Sequence, residues 1–162
     1  MARAKQTLAV RKDDDFYAWL LGQAQTLRRI ADKVPSLDCV EIAEELEGTA
    51  RSDEHALESF LERLLKHLLK WRYEPHRQSA SWQVSIQNAR SDIRDRLAHS
   101  PNLRGRLPTL VGRAYEKTRR SAGVEMEVEE REWEEKSPPS CPWSVAQLRS
   151  DFWPDQVNGL EL

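Results

Sequence analysis

Glu44, Glu47 and His67 are the residues of this chain whose types could assemble a reactive centre. Glu44 and Glu47 stand three apart and so share one side of a helix. Two carboxylates and an imidazole are a ligand set for a divalent ion, as a metal-dependent hydrolase or nuclease would use. Helical di-metal sites, however, are built from Glu-x-x-His pairs. The residues three before His55, His67, His76 and His99 are Ser52, Leu64, Tyr73 and Arg96, and no H-E-x-x-H occurs. The plainer reading makes the glutamates, Glu45 among them, salt-bridge partners of Arg-rich helices. It makes His67, one residue off the line of Leu64 and Leu68, a hydrogen-bonded histidine at the edge of a core. The sequence thus expects no metal and no cofactor, with the metal-dependent hydrolase or nuclease as the alternative.

Cys39 and Cys141 lie far apart, without C-x-x-C spacing or a sequence-linked histidine. They read as free thiols in a reducing, cytoplasmic setting. No Gly-rich phosphate loop and no G-x-S-x-G is present. Trp19, Trp71, Trp82, Trp143 and Trp153 could stack on bases, but in a small helical protein tryptophan is first of all a core anchor.

Charge is segregated along the chain. The net charge is -2, yet residues 63–120 hold 14 Lys/Arg against 4 Asp/Glu. Residues 1–62 hold 8 against 13, and residues 121–162 hold 3 against 10. Either these stretches neutralise one another within the fold, or the basic middle faces an anionic partner. Arg90 and Arg94 are one turn apart, and so are Lys117 and Arg120; with Arg113 they are the residues expected to meet a protein or nucleic-acid partner, suited to backbone phosphates. The acidic run Glu125–Glu135 is placed to compete for the same surface in cis.

The elements that must position these residues are helical. Leu57, Phe60, Leu61, Leu64, Leu65, Leu68 and Leu69 recur at steps of three and four, which predicts the central core helix. Upstream, Asp38 caps a helix, with Glu41 as capping-box partner and Leu37 and Ile42 as the staple. Ile42, Leu46 and Ala50 continue its inner face. Gly48, Ser52 and Asp53 mark a bend, and the spacing leaves open whether residues 38–72 form one helix or two. Asp13, Asp14 and Asp15 start an earlier helix that Pro35 stops. Trp82, Ile86, Ala89, Ile93 and Leu97 define a later one. Ser100-Pro101 resets the chain, Leu107, Leu110, Ala114 and Tyr115 give a further helix, and Gly123 stops it. The acidic run carries only Trp133 and reads as a solvated helix or a mobile stretch. Residues 137–142 are an extended linker, and Val145, Leu148, Phe152 and Trp153 suggest a short docking segment.

The run Asp15-Phe-Tyr-Ala-Trp19, then Ile42-Ala-Glu-Glu-Leu-Glu47, His67-Leu-Leu-Lys-Trp-Arg-Tyr73, Ser81-Trp82, Cys141-Pro-Trp143 and Phe152-Trp-Pro154 resembles the bacterial family catalogued as domain of unknown function twenty-nine. The resemblance spans about residues 13–154. It implies a small helical bacterial protein and no assigned activity. The chain departs from the family pattern at Val124 to Lys136, where the acidic run replaces a shorter, more apolar link.

The expected fold is all-α, a single-domain bundle of about five helices over residues 13–154, with a short C-terminal docking segment. A loose basic arm covers residues 1–12, and an acidic, Pro-rich connection covers 124–142. The expected role is a non-catalytic interaction module in the cytoplasm, working through the Arg-rich central helices. No apolar run is long enough for a bilayer, and the sequence leaves the oligomeric state open.

Overall fold

The computed structural model describes residues 10–155; residues 1–9 of the expected basic arm lie outside them. The fold is all-α, with no strand among the described residues. Its helices are α1 (Phe16–Ile30), α2 (Cys39–Tyr73), α3 (Ala80–His99), α4 (Leu107–Glu125), α5 (Glu130–Lys136) and α6 (Val145–Arg149), with 3-10 turns after α1, α2 and α3. The chain divides into two compact units, Met1–Glu54 with Leu97–Arg104, and His55–Arg96 with Gly105–Leu162.

In the first unit, Asp15 starts α1. Its side chain accepts the Ala18 N–H at 2.8 Å, as an N-cap should. Its other oxygen accepts the Asn102 N–H at 2.6 Å, so one buried carboxylate fixes two chain segments. Asp38 accepts the Glu41 N–H at 3.1 Å and opens α2. The helices α1 and α2 run antiparallel, since Arg28 pairs with Glu47 and Tyr17 donates to Glu54. The inner face of α2 keeps the expected Ala50 and corrects Ile42. Cys39, Ala43 and Ala50 are buried, whereas Ile42 and its staple partner Leu37 are exposed.

No break occurs at Gly48, Ser52 or Asp53: α2 is one helix of 35 residues, about 50 Å long at 1.5 Å per residue. The expected bend is absent because the groups that argued for it are satisfied in helical geometry. The Ser52 hydroxyl donates to the Gly48 carbonyl at 3.1 Å. Buried Asp53 accepts the Ser100 hydroxyl at 2.6 Å.

In the second unit the leucine stripe is the core. Leu57, Leu61, Leu64, Leu65, Leu68 and Leu69 are all buried, at most 1% exposed. Ile86, Ala89 and Ile93 of α3 and Leu107, Leu110, Ala114 and Tyr115 of α4 are buried as their spacing requires. Arg63 pairs with Asp92 and Lys70 lies over Trp82, so α3 runs antiparallel to α2. Glu58 meets Arg113 while Lys70 meets Glu125, so α4 runs parallel to it.

Gly123 does not stop α4, which continues to Glu125. The turn that follows puts Glu127 at φ 59 and folds the acidic run back as α5. That run is a docked helix rather than a solvated one, because Trp133 is 4% exposed. Beyond it, Ser144 and Gln147 form a reciprocal capping box at α6. The chain then closes on α3: buried Arg90 donates to the Phe152 carbonyl, and Trp153 packs on Trp71 at 4.6 Å between ring centroids.

Candidate functional site

Two residues of the metal-binding alternative, Glu47 and His67, carry other partners. Glu47 holds Arg28 in a two-point ion pair, 3.0 Å at each contact, and that hydrogen-bonded cation holds its carboxyl below the ordinary range. Glu44 is exposed. His67 directs Nδ1 to the Arg63 carbonyl at 2.8 Å. Glu47 and His67 stand twenty residues apart in the chain and belong to different compact units. Among the described residues no group of three His, Cys, Asp or Glu is placed to hold a metal.

The cations nominated for a partner separate into two sets. Arg90 is not on an exposed face: it is 3% exposed and is spent on the Phe152 carbonyl. Arg113 and Lys117 both reach the buried carboxylate of Glu58, at 2.6 and 2.7 Å, and Lys117 also reaches Glu62 at 3.1 Å. Burial pushes the Glu58 carboxyl up, but Lys117 and Arg113 together bring it below its ordinary value. Arg94 and Arg120 are exposed and make no ion pair among the described residues. Of the acidic run, Glu125 reaches Lys66 at 2.9 Å and Lys70 at 3.2 Å. Glu132 and Glu135 instead pair within α5.

The structure brings other residues together. On one face of α4, Gly112, Glu116, Arg120 and Val124 line a groove of about 590 Å³. One wall is α5, through Glu130, Trp133 and Glu134; the other is the loop Pro139, Ser140 and Cys141. The walls are held from below by Arg119. Its Nε donates to the Ser137 hydroxyl at 2.7 Å, and its Nη2 donates to the carbonyls of Glu134 and Ser137 at 3.0 and 3.1 Å. The Tyr115 hydroxyl donates to the Pro138 carbonyl at 2.7 Å. Burial raises that phenol, so it remains a donor at neutral pH. Trp133 returns its own Nε1–H to the Arg119 carbonyl at 2.6 Å and meets Tyr73 edge to face at 5.1 Å.

Trp133 can lie so deep because Gly123 has no side chain. A Cβ there would stand 2.5 Å from Trp133 Cδ1. Cys141 lines the groove as a free, partly exposed thiol, and burial pushes its pKa up. It is therefore the neutral thiol at neutral pH, a poor nucleophile. Nothing in the groove pairs a nucleophile with a base.

The spacing rules missed this groove because its walls come from the segment with the weakest periodicity. One signal was available: a single tryptophan in a run of glutamates, ten residues after a helical glycine. Residues 12–153 match the family model described as Domain of unknown function DUF29. Neither a curated protein nor a solved structure matches the chain.

Proposed function

We propose that this chain, which belongs to the family Domain of unknown function DUF29, is a non-catalytic interaction module whose partner is a protein. The observation that carries this reading is the groove between α4 and α5, whose walls are tied by part-buried hydrogen bonds before any partner arrives. A contact surface already ordered in the free protein avoids the entropy of ordering on binding.

Nucleic acid is the second reading, and exposed Arg94 and Arg120 favour it. It is the weaker one, since Arg113 and Lys117 already carry carboxylate partners and Arg90 is buried. Titration of duplex and single-stranded probes across salt separates the two. With two of the five nominated cations unpaired, their contribution to the fall of the logarithm of the binding constant against log salt should have a slope no steeper than about -2. A slope near -5 would mean that all five cations reach phosphates and would overturn the protein reading.

A further inference from the structure

The lining of the α4–α5 groove has a defined charge and shape. Glu116, Glu130 and Glu134 face it and make no ion pair among the described residues. Arg119 is engaged with the Ser137 side chain and two carbonyls, which leaves Arg120 as the lining cation without such partners. The carboxylates outnumber the guanidiniums even with Arg119 counted. At one end stand Val124, 74% exposed, and half-buried Val128. At the other is Gly112, inside α4, where a Cβ would meet nothing within 4 Å. Glycine costs stability in a helix interior relative to any ordinary residue, and packing within the chain gives no reason for it here. The space in front of Gly112 belongs to the groove.

We propose that this groove seats a short segment of a partner protein carrying basic side chains beside an apolar one. The apolar side chain lies against Val124 and Val128, and the basic groups meet Glu116, Glu130 and Glu134. The segment's backbone passes over Gly112. This rests on the protein-partner reading above and gives that partner its chemistry. Anionic partners are disfavoured here because they would meet three carboxylates with one opposing free cation.

The test uses the full chain and labelled hexapeptides: one alternating lysine and leucine, one alternating glutamate and leucine, and one of lysine with serine. Binding is read by fluorescence anisotropy and by protection of Cys141 from alkylation. Cys39, 2% exposed, is the buried internal control. The lysine–leucine peptide should bind and slow Cys141 labelling at least fivefold, and the other two should bind at least tenfold more weakly. Gly112→Leu, which fills the groove with a better helix former, should weaken binding tenfold or more. Glu130→Gln with Glu134→Gln should do the same while circular dichroism stays unchanged; it serves if the leucine variant folds poorly. Equal binding by both variants, equal binding of the glutamate peptide, or no protection of Cys141 overturns the proposal. If every hexapeptide fails but a partner protein still cross-links at Cys141, the ligand chemistry is wrong and the protein reading stands.

Discussion

Gly123 and Trp133 make the contact on which the groove depends. Replacing a helical glycine with alanine ordinarily stabilises, by up to about 1 kcal/mol. Here the added methyl would enter the indole at 2.5 Å, so Gly123→Ala should lower the urea midpoint and raise Trp133 exposure, read by fluorescence quenching. Leu64 offers the ordinary counterpart: fully buried, its replacement by alanine should cost about 2–5 kcal/mol. His67 and Glu58 set the response to acid. Burial holds His67 below its ordinary pKa, so the folded state takes up its proton less readily than the unfolded chain. Its stabilising contribution is present above about pH 6.5 and is lost as pH falls through the folded value. Glu58 and Glu125 are also lowered, so theirs is present above the ordinary carboxylate range of about 4.3 and lost below it. The urea midpoint should therefore fall in two stages with acid, and His67→Gln should flatten only the first.

At the scale of elements, the helices of the core were legible because they carry their own periodicity. The stripe from Leu57 to Leu69 names its buried face without reference to anything else. Ala50 was read correctly as buried, but Cys39 and Ala43 were missed because small residues give little hydrophobic signal, while Ile42 gives a strong one and yet points outward. Helix α5 was legible only as one of two readings, a solvated helix or a mobile stretch, and its docking was not legible. Seven residues with one tryptophan have no period to read, and its anchors lie on α4 and at Tyr73. Arg119 is the tie that can be tested. Arg119→Met removes its hydrogen bonds to Glu134 and Ser137 but keeps an apolar stem of similar length. Hydrogen exchange should rise in residues 130–137 and remain unchanged in α2. Equal exchange in the variant would show that Trp133 alone holds α5.

At the scale of the molecule, the charge segregation of the sequence resolves in part into internal pairing. Sequence position alone left open whether the basic middle faces outward or is neutralised within the fold. The partners that consume it, Glu58 and Glu62 for Arg113 and Lys117 and Glu125 for Lys66 and Lys70, lie 55 to 59 residues away along the chain, where no local pattern reveals them. Among the described residues the groove between α4 and α5 remains as an ordered surface, and the proposed protein partner rests on it. The most direct measurement attaches a photoreactive cross-linker to Cys141, the thiol that lines the groove, and irradiates the full chain in extract of its source cells. The account predicts that one polypeptide is recovered covalently, and that Gly112→Leu reduces the yield at least tenfold. Recovery of nucleic acid instead, or of no polypeptide above the unirradiated control, would contradict it.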